Sequence, residues 1–242
     1  AGRFFRKRTM KHVHTELKEI TSKFGIEYIF FIADTFLAMS EKEFDEFCEM
    51  YSEFKLPFYM HTRPETITAR RAKKLKEVNC NKVNIGVEHG NRKFRTEIVG
   101  RNYNNEVAIK PFELMYEAGI STTSNNILGF PDETRDLIFD TIELVRKLKS
   151  DDINAFTFIP YQGTSLRTMC EEKKYLDKNI SPEEISKLTE TISRQVDDIG
   201  KLIDDGSKSQ LVIELEADLE NTNISKVYTE EHNIVNLNTV SY

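Results

Sequence analysis

The sequence predicts an α/β fold in which helices cover a parallel sheet. Segments with consecutive apolar residues alternate along the chain with segments whose apolar residues recur at helical spacing. Runs such as FFIA and NIGV are apolar on successive positions, which is typical of parallel strands buried on both faces. Repeated strand–helix units form an open doubly wound sheet or a barrel. Because no glycine-rich phosphate loop follows any strand, we expect a barrel or partial barrel.

Five strands and the helices between them follow from these patterns. The strands are predicted at residues 27–33, 57–61, 82–88, 122–128 and 153–159, all parallel and in sequential order. A first helix is expected over residues 9–24, and Ser40 with Glu43 has the spacing of a capping box that opens a second helix. A third helix is expected to carry Ile67, Ala72, Leu75 and Val78 on one face. Two more helices are expected at residues 105–118 and 134–149.

The chain is predicted to divide into a truncated barrel and an extension. The barrel is expected over residues 1–178 and the extension over residues 179–242. Ser181 before a proline is an N-cap signal for a long helix over residues 181–203. The later segments SQLVIELEADL and NIVNLNTVSY have a strand-like pattern, so the extension is predicted to contain a helix and strands.

Composition limits the classes of function. The 242 residues are 39% hydrophobic and 31% charged, and the net charge of -6 gives no bulk attraction to nucleic acid or to an anionic membrane. No apolar run reaches the roughly 18 residues of a membrane helix, and the basic N-terminal residues are not followed by a signal-peptide core. We therefore expect a cytoplasmic protein without membrane partners. Three widely separated cysteines argue against a disulfide framework and against a metal site of closely spaced cysteines.

Polar residues follow every predicted strand. The carboxyl ends of parallel strands share one edge, which is the functional face of a barrel. We therefore expect a ligand site formed by residues at the five strand ends: Asp34 and Thr35, His61 and Arg63, Glu88 and His89, Asn125 and Asn126, and Tyr161 and Gln162.

Five segments stand in the order seen in one known family: IEYIFFIADTF, HTRPETIT, VNIGVEHGNRKFRTEIVGR, GISTTSNNILGFPDET and FTFIPYQGTSL. Over roughly residues 3–175 the chain resembles the radical S-adenosylmethionine (SAM) superfamily, in the branch with cobalamin-binding members and the oxygen-independent coproporphyrinogen oxidases. The resemblance implies a partial (β/α)6 barrel. It also implies that a [4Fe–4S] cluster cleaves SAM reductively and that the resulting 5′-deoxyadenosyl radical abstracts a hydrogen atom from a substrate. SAM and the cluster are thus expected cofactors of the full-length protein, and cobalamin is a further candidate.

The cysteines depart from the family pattern. The CxxxCxxC cluster loop is absent, and Cys48, Cys80 and Cys170 are 32 and 90 positions apart. A SAM-binding cluster needs three thiolates, which these residues do not supply locally. We therefore expect the chain to lack the family's first strand and cluster loop, to have that N-terminal segment or domain as a partner, and to be inactive by itself. The substrate, whether a small molecule or a macromolecule, is not specified by the resemblance.

The resemblance assigns the amino acid end of SAM to four positions. Asp34 and Thr35 match contacts to the methionine ammonium group, for which a carboxylate and a hydroxyl are suitable acceptors. His61 stands where relatives have a SAM-binding carboxylate. Arg101 matches an arginine that binds the SAM carboxylate with its planar, two-pronged donor. The alternatives are a turn cap for Asp34 and a salt bridge to Glu88 or Glu97 for Arg101.

The resemblance assigns the remaining matched positions mainly to the nucleoside part of SAM. Glu88 matches a polar residue at the sugar or the amino acid end, and Asn125 matches a ribose contact. Ile127 matches the apolar residue against the adenine face, although its position also suits a core residue. Ile159 and Tyr161 would border the adenine.

Two other classes of function stay open. One is a metal-dependent hydrolase on a barrel, with Asp34, His61, Glu88 and His89 as ligands, although no HxH or HExxH spacing is present. The other is a non-catalytic module that uses the same scaffold to bind a partner.

Overall fold

The computed structural model describes residues 8–181 and residue 184. Five strands form one sheet in the order β1-β2-β3-β4-β5, and every neighbouring pair is parallel. The predicted parallel sheet with sequential strand order is therefore confirmed. The strands are β1 (Ile29–Phe31), β2 (Phe58–Thr62), β3 (Cys80–Glu88), β4 (Ser121–Leu128) and β5 (Asp152–Thr157).

Seven helices and one 3-10 turn at Pro64–Thr66 accompany the sheet in the described part of the chain. The helices are α1 (Met10–Lys23), α2 (Glu41–Tyr51), α3 (Ala69–Glu77), α4 (Arg92–Glu97), α5 (Asn105–Glu117), α6 (Arg135–Val145) and α7 (Ser165–Glu172). The predicted capping box is present: the Ser40 hydroxyl accepts from the Glu43 amide, and the Glu43 carboxylate accepts from the Ser40 amide. No described helix has the length and apolar character needed to cross a membrane.

The helices pack on one face of the sheet. Strand residues such as Phe58, Met60, Val83 and Ile85 are fully buried in a core that also contains residues of α1, α2, α3 and α5. On β4, Leu128 packs against Ile138 and Ile142 of α6 instead. Because side chains alternate along a strand, the residues between these positions face the opposite side, which we call the inner face.

The inner face is aromatic and polar. Phe30 of β1 lies beside Tyr59 of β2, with ring centroids 5.0 Å apart, and Tyr59 lies 4.9 Å from His61. On β3, Asn84 alternates with the buried Val83 and Ile85, so it lies on the inner face next to its register partner His61. The inner face is therefore more polar than the outer face, which the helices cover.

The observed boundaries differ from the predicted ones at the ends of the sheet. β1 pairs with β2 only over Ile29–Phe31, and within the described residues β2 is its one neighbour in the sheet. α4 was not predicted, since it is short and polar, but the Asn91 side chain caps it by accepting from the Phe94 amide at 2.9 Å. The Ser181 cap is observed, because its hydroxyl accepts from the Glu184 amide at 3.2 Å. The helix and strands predicted beyond it lie outside the described residues.

Candidate functional site

A cleft of about 350 Å³ opens at the carboxyl ends of the strands. It lies between the loop after β3, the end of β4 and the segment that joins β5 to α7. Its lining residues are Asp34, Arg63, Glu88, Val99, Gly100, Arg101, Ile127, Phe130, Phe158, Ile159, Tyr161, Thr164 and Leu166.

One side of the cleft is a charged pair. Nη2 of Arg101 lies 2.9 Å from Oε1 of Glu88, and the two side chains are 11% and 1% exposed. Glu88 ends β3 with a positive φ of 70°, at a point where the register between β3 and β4 shifts. A side chain on Gly86 would collide with the Glu88 carboxylate, so the glycine leaves a cradle in which that carboxylate lies.

The opposite side of the cleft is apolar. Ile127, Phe130 and Phe158 are all at least 93% buried and belong to one cluster with Phe94 and Cys170. The rings of Phe130 and Phe158 are 5.2 Å apart and inclined by 33°. An apolar wall beside a carboxylate and a guanidinium suits a ligand with an apolar ring at one end and polar groups at the other.

A buried hydrogen-bonded pair supports this wall from behind. Nε2 of His89 lies 2.9 Å from Oε1 of Glu133, and neither side chain is exposed. Nδ1 of His89 accepts from the Asn91 amide at 3.0 Å, so Nε2 carries the proton that is donated to Glu133. The other carboxylate oxygen of Glu133 accepts from the amides of Gly129 and Phe130. The loop after β4 is thus attached directly to the end of β3.

A second buried group holds the loop that carries Arg101. The Arg95 guanidinium donates to the carbonyl oxygens of His89 and Tyr103, each at 2.7 Å, and to the Asn105 side chain at 2.9 Å. It also lies 4.3 Å from the centroid of the Tyr103 ring. Burial lowers the pKa of Arg95 from its ordinary value. Both ends of the loop therefore meet at one side chain.

Comparison with models of protein families identifies the family of this chain. The model of the radical SAM superfamily matches residues 1–145, which is more than half of the chain. The chain belongs to the radical SAM superfamily. The expectation that followed from the five sequence segments is therefore confirmed.

Among curated relatives, an uncharacterized methyltransferase from Pyrococcus horikoshii is 28% identical over 166 residues, which are 68% of this chain and 36% of that protein. A tRNA-2-methylthio-N(6)-dimethylallyladenosine synthase from Lachnoclostridium phytofermentans is 27% identical over 137 residues, which are 56% of this chain and 29% of that protein. The chain thus spans about a third of the length of these relatives.

Solved radical SAM structures share the fold. The methyltransferase TsrM from Kitasatospora setae, solved with cobalamin and a [4Fe-4S] cluster, has a TM-score of 0.56 and 18% identity, over 68% of this chain and 34% of that chain. The coproporphyrinogen III oxidase HemN from Escherichia coli also has a TM-score of 0.56 and 18% identity, over 76% of this chain and 44% of that chain. The fold class, a TIM-barrel-like arrangement of parallel strands, is therefore confirmed.

The cleft brings together most of the predicted cofactor-binding residues of this radical SAM domain. Six of the nine line it: Asp34, Glu88, Arg101, Ile127, Ile159 and Tyr161. Thr35, His61 and Asn125 are not among its lining residues. Thr35 is 9% exposed, and Oδ1 of Asn125 accepts from the Asn154 side chain at 3.0 Å, on the same face of β4 as Ile127.

Neither of the possible metal centres is assembled. Within residues 8–181 and residue 184, no group of three or more His, Cys, Asp or Glu side chains could hold a metal ion. His89, a candidate ligand of the hydrolase alternative, is bonded to Glu133 instead. Cys48 and Cys80 are buried in the core under the helices, whereas Cys170 belongs to the separate cluster behind the cleft. Burial raises the pKa of Cys48 and of Cys170 to about 11.

The sequence reasoning missed Glu133 and the two phenylalanines of the wall. Glu133 follows Pro131 in a polar loop, where a carboxylate ordinarily reads as exposed, but its side chain is fully buried. The sequence reasoning also missed the role of Gly86 beside the Glu88 carboxylate. Its signal was a glycine inside a strand, which often marks the close approach of another group.

Proposed function

We propose that the chain is the SAM-binding core of a radical SAM enzyme. The observation that carries this proposal is the cleft in which the Glu88–Arg101 pair faces the apolar wall of Ile127, Phe130 and Phe158. SAM has a planar adenine, a ribose with two hydroxyls and a zwitterionic amino acid end, so it needs both an apolar and a charged side.

Each part of SAM has a partner in the cleft. We assign the adenine to the apolar wall, with Ile159 and Tyr161 at its border. The Glu88 carboxylate has acceptor capacity for ribose hydroxyls. The Arg101 guanidinium can donate two parallel hydrogen bonds to the SAM carboxylate. Asp34, which is exposed at the cleft, is assigned to the ammonium group.

The residues present do not fit a [4Fe–4S] cluster. In this superfamily the cluster supplies the electron that cleaves SAM. The three cysteines of this chain are buried in two different clusters, and none lines the cleft. The binding and orientation of SAM are therefore the functions proposed for this chain, and SAM cleavage is proposed only for a full-length protein with further ligands.

The reaction of that full-length protein is proposed from the relatives. A methyltransferase and a tRNA-2-methylthio-N(6)-dimethylallyladenosine synthase are among them, which favours group transfer. Membership of the superfamily favours hydrogen abstraction by a SAM-derived radical as the first step. Cobalamin stays a prediction from the sequence resemblance. A second candidate, a SAM-binding module without radical chemistry, is favoured by the burial of all three cysteines.

Calorimetric titration of the 242-residue chain with SAM tests the proposal. We expect saturable binding with one site per chain, and we expect Glu88→Gln to weaken it at least tenfold. Lys42→Ala, a change on the exposed surface of α2, is the matched control and should leave binding unchanged. No binding by the wild-type chain, or equal binding by Glu88→Gln, would contradict the assignment of this cleft.

A further inference from the structure

A second candidate site lies on the inner face, below the cleft. It is formed by Phe30 and Tyr59, which supply aromatic surface, and by His61 and Asn84, which supply hydrogen-bonding groups. We call these four residues the inner floor. Asn84 and Glu88 are four residues apart on β3, so the floor begins about 13 Å along the strand from the cleft.

The polar groups of the inner floor make no side-chain hydrogen bond. Within the described residues, neither the His61 ring nor the Asn84 amide has a bonding partner, although Asn84 is only 7% exposed and its Oδ1 is fully buried. A buried amide without a partner costs stability, so native structures rarely retain one without a reason. Asn125, one strand further, differs because it is bonded to Asn154.

The aromatic surface of the inner floor is open to solvent at Phe30 and half-buried at Tyr59. Phe30 is 65% exposed, although large apolar side chains are usually covered. Its ring lies 5.0 Å from that of Tyr59, which in turn lies beside His61 at 4.9 Å, so three rings form a continuous surface. Such a surface suits stacking against another planar ring.

The inner floor carries no net charge. Its four residues include no acid and no permanent base, and the pKa of His61 is lowered because burial disfavours the charged imidazole. Lys82, the register partner of Tyr59, lies beside the floor on this face, and its charge is paired with Asp152. A neutral imidazole and a carboxamide each offer one donor and one acceptor side. A ligand with a donor and an acceptor on one ring edge can therefore bond to both residues.

We infer that the inner floor binds the substrate of the radical SAM enzyme, and that this substrate presents an uncharged planar heteroaromatic ring. The ring stacks on Phe30 and Tyr59, and its edge is hydrogen-bonded by His61 and Asn84. This inference rests on the proposed function, because the floor and the proposed SAM cleft lie on the same face of β3, with Asn84 four residues before Glu88. It assigns His61 to the substrate rather than to SAM.

Titration with benzimidazole tests the inference, since this neutral bicycle has one donor and one acceptor on its ring edge. Binding to the 242-residue chain is followed by ligand-observed NMR, with and without saturating SAM. We expect benzimidazole to bind more tightly than indole, which has only the donor, and cyclohexanol to show no binding. Binding that is unaffected by SAM would place the probe outside the cleft, and competition by SAM would overturn the inference.

Two substitutions locate the probe. His61→Phe keeps an aromatic ring but removes both nitrogens, and Asn84→Leu keeps a similar volume while removing an unbonded amide, so the fold should be retained. Each should weaken benzimidazole binding at least fivefold and should reduce its advantage over indole. Tyr116→Ala, which removes a 64% exposed ring from α5, is the control and should have no effect.

The outcomes separate this inference from the proposed function. If SAM binds but benzimidazole binds equally to wild type, His61→Phe and Asn84→Leu, the inference is overturned while the SAM cleft stands. If benzimidazole binding depends on both residues but SAM does not bind, the proposed function fails, and the assignment of the floor to a SAM-dependent substrate fails with it.

Discussion

The Glu88 carboxylate occupies the space that a side chain at position 86 would fill. An ideal Cβ on Gly86 collides with Oε1 of Glu88 and lies 3.3 Å from its Cδ. The carboxylate therefore folds back over its own strand and meets Arg101 at 2.9 Å. The position of this charged pair depends on the absence of a side chain two residues before it.

Gly86→Ala should displace the carboxylate without unfolding the sheet. The new methyl group meets a side-chain end rather than backbone, so Glu88 can move away, but it then loses its place beside Arg101. We expect SAM binding to weaken by about 1.5–3 kcal/mol, the range for a hydrogen bond to a charged group. Calorimetry measures this change, and Gly25→Ala is the control because nothing lies within 4 Å of that position.

Arg101→Ala should discriminate between SAM and a ligand that lacks the amino acid end. If the guanidinium binds the SAM carboxylate, the substitution weakens SAM binding by about 1.5–3 kcal/mol. Binding of 5′-methylthioadenosine, which has no carboxylate, should change much less. Equal losses for both ligands would instead show that Arg101 acts only by holding Glu88. Arg146→Ala, outside the cleft at the C-cap of α6, serves as the control.

Glu133→Gln should destabilise the fold. The carboxylate accepts from His89 on one oxygen and from the Gly129 and Phe130 amides on the other. A glutamine has one oxygen, so its NH2 group must face one of these donors. Leaving a buried donor unsatisfied costs about 1–3 kcal/mol, which should appear in the free energy of unfolding by urea. Glu97→Gln, at an exposed position of α4, should change that free energy little.

The three thiols should react slowly in the folded chain. The thiolate is the reactive form, and burial raises the pKa of all three cysteines, of Cys48 and Cys170 to about 11. A disulfide reagent at pH 8 should therefore modify all of them rapidly only after urea is added. Rapid modification of a thiol in the native chain would contradict the burial seen in the structure.

The same chain should not form a stable iron–sulfur cluster. Anaerobic incubation with iron and sulfide should give no lasting brown [4Fe–4S] absorption, and dithionite with SAM should give no 5′-deoxyadenosine. The reason is that Cys48 and Cys80 lie in a different buried cluster from Cys170, and none lines the cleft. Production of 5′-deoxyadenosine by the 242-residue chain alone would refute this prediction.

His61 should contribute to acid sensitivity. Burial lowers its pKa below the ordinary histidine value of about 6.5, so the folded state binds fewer protons than the unfolded state. Its contribution is complete above about pH 6.5 and is lost as the pH falls through the lowered pKa. The stability difference between wild type and His61→Gln should therefore be more favourable to wild type at pH 7.5 than at pH 5. Urea unfolding at both values checks this, and a constant difference would contradict it.

The sheet could be predicted from the sequence because strand signals are local. Apolar runs that end in polar residues gave the five strands and their order, and Ser40 with Glu43 gave the start of α2. The predicted ends of the strands were less exact, because pairing with neighbouring strands decides where a strand ends. β1 stops at Phe31 although the apolar pattern continues to Ile32, whose side chain is 92% exposed.

The site could be predicted only in part, because its residues meet across long sequence separations. Glu88 and Arg101 follow from the strand end and from the family resemblance. The pairing of His89 with Glu133 does not, since a buried carboxylate 44 positions away has no local signal. The SAM role of His61 came from the family resemblance and stays a prediction, since His61 lies on the inner face beside Tyr59 and does not line the cleft.

The hydrogen bonds of the Arg95 guanidinium have a consequence for the kinetics of ligand binding. One guanidinium holds the carbonyl oxygens of His89 and Tyr103, so the segment with Val99, Gly100 and Arg101 is anchored at both ends before a ligand arrives. Association then requires collision and orientation but no closing of this segment, and its rate should depend linearly on ligand concentration. Arg95→Met would release the anchor, and the observed rate should then level off at high ligand concentration, as expected when a conformational step precedes binding.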